Sequence, residues 1–204
     1  MKTIASYIIF GTMALTVASC SDGWLDVEPS TAVETDKSIN ELSDVNIMLN
    51  GIYTTMQDAY AYSGRLVYYG DACGDDMMAY SSTKRTGNYY TFNFTKDTAP
   101  STFWSYPYKM IGLCNIILAK VDNLETKETE LRDYYKGQAL ALRAMLLFDL
   151  TKFYGYPYKK DNGASLGVPV VVSTLDKEAK PKRNTVAECY AQVIADLKAA
   201  VAAM

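Results

Sequence analysis

The chain has 204 residues and a formal net charge of −3, and it contains no histidine. Without an imidazole to accept a proton, Ser-His-Asp and Cys-His nucleophile systems are excluded, and so are zinc sites of the HExxH type. The near-balanced charge argues against a nucleic-acid ligand, because nucleic-acid-binding proteins need a basic face. Tyrosine is in excess, at 17 residues, and its apolar ring with a polar hydroxyl suits binding more than catalysis.

The first 19 residues are predicted to be a lipoprotein signal peptide. Lys2 gives a positive start, and the apolar stretch from Ile4 to Val17 is short for a membrane span. Small residues then precede a cysteine in the sequence LTVASC at 15–20, the pattern that a lipoprotein signal peptidase requires. We therefore predict that the mature protein starts at an acylated Cys20, anchored by about 0.8 kcal/mol per buried CH2 of its lipid chains. An ordinary secretory signal, with Cys20 there by chance, is the alternative.

The exported chain then begins with a polar segment. Residues 20–37 include Pro29 and show no sustained periodicity, so they are predicted to form an extended tether. Three cysteines remain, Cys73, Cys114 and Cys189, at wide spacings. An exported protein meets an oxidising compartment, so one disulfide with one free thiol is an alternative. We expect three buried free thiols, because cysteine within a helical pattern acts as a small hydrophobic residue.

Apolar residues at steps of three and four predict the first two amphipathic helices. The first follows a capping box at Ser38–Glu41 and stops by Gly64, and Gly51 within it indicates close packing of a neighbouring helix. The second is placed from about Ser105, because Pro107 is tolerated in the first turn of a helix and breaks later turns.

Two further helices follow from the same pattern. The third carries apolar residues from Leu131 onward and ends at Gly155, which is soon followed by a proline. The fourth begins at a second capping box, Thr185–Glu188, and its pattern still continues at Met204. This indicates that the chain is the front part of a longer protein. Between these helices, residues 167–172 are predicted to form at most a short strand.

A long aromatic-rich connection, at about residues 65–100, separates the first two helices. Ten of the 17 tyrosines lie from Tyr53 to Tyr108, which bracket this insert. The sequence TFNF at 91–94 alternates like a β-strand. Long loops in helical proteins are usually functional or disordered, and the aromatic content argues against disorder. The insert is therefore the predicted binding surface.

Five motifs, in chain order and spread over nearly the whole chain, carry a family resemblance. They are WLD at 24–26, NGIY at 50–53, the spacing of Trp104, Tyr108, Ile111 and Asn115, GQALALRA at 137–144 running on to FYGYP at 153–157, and RNTV at 183–186. In this combination the chain resembles the SusD/RagB family, surface lipoproteins that form the lid of outer-membrane nutrient importers. The family usually has glutamate where Gln138 stands, and its members run on well past position 204.

The resemblance implies an all-α fold of tetratricopeptide-like helix pairs with a long aromatic-rich loop insertion and minor β-structure. Residues 38–204 would be its N-terminal part. It also implies a SusC-like TonB-dependent transporter as partner and a lipid-anchored location at the cell outer membrane, facing the exterior. Most members capture glycans and some capture peptides, without catalysis or a cofactor. A lipid-anchored helical-repeat scaffold that recruits protein partners is the alternative function.

The candidate ligand residues lie in the insert and are Tyr80, Arg85, Asn88, Tyr89 and Tyr90. Sugars present C–H faces that pack on aromatic rings, and their hydroxyl groups need a few polar partners. The resemblance places the ligand residues of this half of the fold in the same loop region, and no motif fixes them individually. The alternative is that these tyrosines fold the insert upon itself.

Other conspicuous residues are expected to be structural. Trp104 lies on an apolar stripe and is assigned to the helix core, and Arg143 is assigned to an ion pair or a helix cap. Asp71, Asp75 and Asp76 are expected to form a solvated acidic turn, because the EF-hand pattern is missing. No carboxylate pair is singled out for glycosidase chemistry. We therefore expect neither catalysis nor a metal site.

Overall fold

The computed structural model describes residues 38–81, 86–95, 97, 101–176 and 178–204. Within them, the α-helices are α1 (Leu42–Met56), α2 (Arg65–Ala72), α3 (Gly87–Tyr90), α4 (Thr102–Lys120), α5 (Thr129–Tyr154) and α6 (Val186–Ala203). Two 3-10 turns, Val121–Asn123 and Tyr158–Lys160, follow α4 and α5. The predicted signal peptide (1–19), the tether (20–37), Cys20 and Arg85 lie outside the described residues. None of the described helices is long and apolar enough to cross a membrane.

The core lies between α1, α4, α5 and α6, which together form the helical body. Helix α5 is the central element, because it packs against each of the other three, and α1 also packs against α4. The buried side chains are mainly aliphatic, among them Val45, Leu49, Ile52, Ile111, Ile117, Leu146, Leu150 and Val193. Removing such surface from water contributes about 25 cal/mol per Å². The predicted all-α fold of helix pairs is confirmed.

Helix α1 begins later than its sequence pattern predicted. The Asp44 carboxylate accepts from the backbone N–H groups of Asn40 and Glu41, at 2.8 and 3.1 Å. Glu41 is therefore the N-cap residue, and the predicted capping box at Ser38 is wrong. The reason is that an acidic side chain is favourable beside the free N–H groups of a first turn, and Asp44 can reach two of them.

The other end of α1 also differs from expectation. The helix stops at Met56 rather than near Gly64. Just beyond it, the Asp58 carboxylate accepts from the backbone N–H of Tyr60 at 2.7 Å, and such a local turn competes with helix. Gly51, expected beneath a neighbouring helix, is exposed, and a Cβ atom there would meet nothing within 4 Å. The expectations for Gly64 and Gly51 are therefore both wrong.

Helix α4 begins at Thr102, before the predicted Ser105, and it contains Pro107 near its start. Ile111 and Asn115 of the predicted spacing are buried, but the first aromatic residue on the buried face is not the predicted one. Phe103 is 1% exposed and occupies the core, whereas Trp104 is 37% exposed. Successive residues lie about 100° apart around a helix, so the two aromatic side chains cannot share one face. The assignment of Trp104 to the core is wrong.

The remaining helix ends agree with the sequence. Gly155 caps α5, and its N–H donates to the carbonyl of Thr151 at 2.8 Å. At the start of α6, the N–H of Thr185 donates to Glu188 Oε2 at 2.7 Å, and the N–H of Glu188 donates to Thr185 Oγ1 at 3.2 Å. These reciprocal bonds satisfy two otherwise free donors. The predicted end of α5 and the predicted capping box of α6 are confirmed.

Short helices and turns make up the described part of the insert. Residues 91–94 were predicted to be a strand, and they form a turn and an irregular segment after α3 instead. Phe92 has a φ of 53°, which is outside the range of a β-strand, and the N–H of Asn93 returns to the carbonyl of Asn88 at 2.9 Å. Elsewhere in the described residues, one antiparallel bridge joins Leu166 to Thr185.

Candidate binding surface

The described part of the insert is organised around the ring of Tyr69, on α2. Its centroid lies 5.1 Å from the ring of Tyr89, 5.3 Å from Phe103 and 5.5 Å from Phe153, and each pair meets edge to face. Such pairs contribute about 0.5–1.5 kcal/mol each beyond the burial of their surface. Because Phe103 is on α4 and Phe153 is on α5, this aromatic cluster of four rings joins the insert to the helical body.

Four of the five predicted ligand residues lie at described positions. On α3, Tyr90 is 39% exposed and Asn88 is half-buried, while Tyr80 is fully exposed on the preceding segment. Tyr89 is only 4% exposed, and burial raises the pKa of its hydroxyl. Asn88 and Tyr90 lie two positions apart on one short helix, where they do not face each other. The structure places Tyr89 inside the aromatic cluster, where its ring supports the insert as the alternative interpretation expected.

Two exposed rings of the insert were not predicted as candidates. Phe92 is 65% exposed, and its ring meets that of Phe94 edge to face at 6.4 Å. Phe94 in turn stacks on the buried ring of Tyr89 at 6.1 Å. Their signal in the sequence was the pair of phenylalanines at 92 and 94, which was interpreted as strand alternation. The exposed rings of Phe92 and Phe94 therefore pack on the aromatic cluster through Tyr89.

A second exposed aromatic surface lies on α4. The Trp104 ring is 4.9 Å from the ring of Tyr154 and 5.0 Å from that of Tyr108. The Tyr108 hydroxyl donates to the carbonyl of Pro169 at 2.8 Å, and burial raises the pKa of Tyr154 to about 12. The hydrogen bond holds Tyr108 in place, and both tyrosine hydroxyl groups are neutral at ordinary pH. Trp104 accordingly offers a flat apolar face whose orientation is set by two neighbouring rings.

A buried ion pair in the helical body uses its charged residues for structure rather than for binding. Arg143 donates from Nε and Nη2 to the two carboxylate oxygens of Asp196, at 2.8 and 2.7 Å. Its Nη1 donates to Asn115 Oδ1 at 2.8 Å, and Asn115 Nδ2 donates to the carbonyls of Val171 and Ser173 at 3.1 and 3.0 Å. The predicted structural ion pair of Arg143 is confirmed.

Comparison with known protein families shows to which family the chain belongs. Residues 23–204 match a family described as SusD-like, starch-binding associating with outer membrane. The chain belongs to this SusD-like family. The resemblance carried by the five sequence motifs is thereby confirmed.

Solved structures of relatives share the fold of this SusD-like chain. A proposed sugar-binding protein of Bacteroides vulgatus is 62% identical, with a TM-score of 0.79 over 82% of this chain and 38% of its own. SusD superfamily proteins of Bacteroides thetaiotaomicron and Bacteroides vulgatus are 35% and 31% identical, with TM-scores of 0.72 and 0.74. These matches cover 80% and 81% of this chain, and 37% and 38% of the chains of the two relatives. The chain thus spans well under half the length of these relatives. No curated protein matches it.

Three cysteines of the SusD-like chain lie at described positions, and their thiols are free. Cys114 and Cys189 are buried, and Cys73 is half-buried. Burial raises the pKa of the Cys114 thiol to about 12, so this thiol is protonated and unreactive at neutral pH. The expectation of three free thiols agrees with this arrangement, although Cys73 is less enclosed than predicted.

The acidic residues of the insert are spread over the surface. Asp71, Asp75 and Asp76 are all exposed. Among the described residues, no group of three or more His, Cys, Asp or Glu side chains is arranged to hold a metal ion.

Proposed function

We propose that this chain belongs to a surface lipoprotein that captures glycans and passes them to a SusC-like TonB-dependent transporter of the outer membrane. The observation that carries the proposal is the match of residues 23–204 to a starch-binding family associated with the outer membrane. The proposed sugar-binding role of the relative at 62% identity supports the same class of ligand. Because the chain covers 38% of that relative, the proposal concerns what these helices and this insert contribute.

The exposed rings of the insert and of α4 are the surface on which we place the glycan. Phe92 and Trp104 offer apolar faces that suit the C–H faces of a pyranose ring. Neighbouring rings contact both of them, so little side-chain freedom is lost when a sugar binds. Tyr80, Arg85 and Asn88 remain the proposed polar partners for sugar hydroxyl groups.

Calorimetric titration of the full-length protein tests the proposal. The ligands are soluble starch, laminarin and a mixture of short peptides. We expect a glycan to bind without being hydrolysed, and we expect Trp104→Ala and Phe92→Ala each to weaken binding by roughly 2- to 12-fold, from the strength of aromatic contacts. Tyr134→Ala is the control, because this exposed tyrosine lies on α5 outside both surfaces. If only the peptides bind, the ligand class is peptides, and the proposal of glycan capture is contradicted.

The proposed anchor and partner have separate tests. Cys20→Ala is expected to abolish palmitate labelling in cells and to release the protein from the membrane fraction, because the acyl chains need this thiol. Persistent labelling would contradict the assignment. Purification of the intact protein from outer membranes should also recover a TonB-dependent barrel, and its absence would argue for the scaffold alternative with other partners.

A further inference from the structure

An open groove lies between the C-terminal end of α1 and the first half of α4. Its volume is about 450 Å³, and it is lined by Thr54, Thr55, Gln57, Asp58, Tyr106 and Lys109. Sites for small ligands commonly have volumes of about 300–1,000 Å³. None of these residues belongs to the aromatic cluster or to the candidate ligand residues of the insert, so the groove is a separate feature of the surface.

The α1 side of the groove offers hydrogen-bond acceptors. The hydroxyl groups of Thr54 and Thr55 donate to backbone carbonyls four residues earlier, at 2.8 and 2.9 Å, which leaves their oxygen lone pairs available. Asp58 uses Oδ1 to accept from the backbone N–H of Tyr60 at 2.7 Å. Its other oxygen is left as a charged acceptor, and charged acceptors make the stronger hydrogen bonds.

The α4 side offers donors and a ring. Tyr106 and Lys109 lie three residues apart, and this spacing puts them on the same face of the helix. Lys109 is exposed and makes no ion pair with any described residue, so its ammonium group has three N–H donors available. Tyr106 is half-buried and packs against the core. Its ring therefore has a fixed position at the edge of the groove.

This combination selects against charged ligands. An anion would meet the carboxylate of Asp58, and a metal cation would meet the ammonium group of Lys109 with only one carboxylate to bind it. A neutral sugar has hydroxyl groups that donate and accept at once, so it can satisfy both charged side chains. Its C–H face suits the ring of Tyr106. A neutral sugar unit therefore fits the groove better than an ion does.

The geometry points to this groove as a second carbohydrate subsite, which takes one neutral sugar unit of a glucan. The sugar stacks on Tyr106, donates to Asp58 and accepts from Lys109. The open shape of the groove suits a unit within a longer polymer, because the chain can continue at both ends. This assignment rests on the proposed glycan-capturing function, and it adds a position that the insert does not supply.

The test uses the full-length protein with threonine methyl groups labelled for NMR, and maltoheptaose as the probe. We expect the methyl signals of Thr54 and Thr55 to shift during the titration. Asp58→Asn and Lys109→Met are expected to raise the midpoint of this shift roughly 10-fold each, because each removes a charge-assisted hydrogen bond. The amide oxygen that Asp58→Asn introduces can still accept from the backbone N–H of Tyr60, which keeps the turn. Asp76→Asn and Lys159→Met, both at exposed positions outside the groove, are the matched controls and should change nothing.

The outcomes separate the subsite from the proposed function. If maltoheptaose binds while both threonine signals stay unmoved, or if the two groove variants bind as the unaltered protein does, the subsite is refuted and glycan capture stands. If neither maltoheptaose nor any glycan of the calorimetric panel binds, the proposed function fails and the subsite fails with it. A shift with inorganic phosphate but not with maltoheptaose would overturn the subsite in favour of an anion site.

Discussion

The helical body and the insert are held together by different kinds of contact. In the body, aliphatic side chains from four helices form the core, and the Arg143–Asp196 ion pair is buried. In the described part of the insert, aromatic rings meet edge to face around Tyr69. The body therefore buries its aliphatic side chains in a core, whereas the insert has aromatic rings both in its interior and on its surface.

This difference explains how one chain combines a stable scaffold with a binding surface. A ring that is buried on one face can still present its other face, as Phe94 does between Tyr89 and the exposed Phe92. An aliphatic side chain has no flat face to present in this way. We therefore expect changes to exposed rings to alter binding with little effect on stability, and changes to the aliphatic core and its ion pair to do the reverse.

The largest effect is expected from the buried ion pair. Arg143→Met leaves the carboxylate of Asp196 buried without its partner, so the free energy of unfolding should fall by about 3–5 kcal/mol. Urea denaturation followed by circular dichroism measures this. Lys136→Met is the matched control, because it breaks an exposed pair with Asp122 and should cost at most about 1 kcal/mol. Equal costs for the two variants would contradict the prediction.

A smaller and local effect is expected in the insert. Tyr69→Leu removes the edge-to-face contacts of the central ring, each of which contributes about 0.5–1.5 kcal/mol. Hydrogen exchange should become faster in α2 and α3, while the amides of α5 keep their protection. Tyr80→Leu is the control, because this fully exposed ring makes no ring contact with the described residues. Equal acceleration in α5 would show that insert and body open as one unit.

The capping box of α6 should contribute less again. Thr185→Ala removes the side-chain acceptor for the N–H of Glu188, and the expected loss is about 1 kcal/mol. Thr185→Ser keeps this acceptor and should retain nearly all of the stability. Thermal denaturation of the three proteins measures the difference, and an alanine variant as stable as the serine variant would argue against the cap.

The smallest effect is a change in pH dependence. Hydrogen bonds from the backbone and side chain of Thr185, and then from Asn184, lower the pKa of Glu188. Its stabilising contribution is therefore complete above the pKa of the unfolded chain and is lost as pH falls through the lower pKa of the folded state. Carboxyl NMR titration should show Glu188 ionising below the ordinary range of a glutamate, and Glu188→Gln should reduce the loss of stability in acid.

Regular parts of the body could be predicted from the sequence because their signals are local. The Thr185–Glu188 box and the Gly155 cap each depend on a few neighbouring residues, and both were predicted correctly. The start of α1 was wrong because Asp44 and Ser38 both offer cap interactions, and the pattern alone does not say which one is used. Trp104 was misplaced because the buried face of α4 also includes Phe103 and Met110, so Trp104 lies at the exposed edge of that face.

The insert could be located from its tyrosines but not resolved residue by residue. Tyr89 and Tyr90 are adjacent and chemically identical, yet one is buried and the other is exposed. That outcome depends on the position of Tyr69 and Phe103, which are distant in sequence. The α1–α4 groove has the same origin, since Asp58 and Lys109 line one groove only after the helices pack. Periodicity carries no information on such long-range pairs.

The Arg143–Asp196 pair also has a consequence for the order in which the core closes. The two residues are 53 positions apart, and Asp196 lies on α6, so α4 and α5 by themselves bring Arg143 to Asn115 but supply no carboxylate from α6. Until α6 packs, the guanidinium keeps its water on the side that α6 later covers, because burying an unpaired charge is costly. The last described helix therefore supplies the carboxylate that allows Arg143 to be buried.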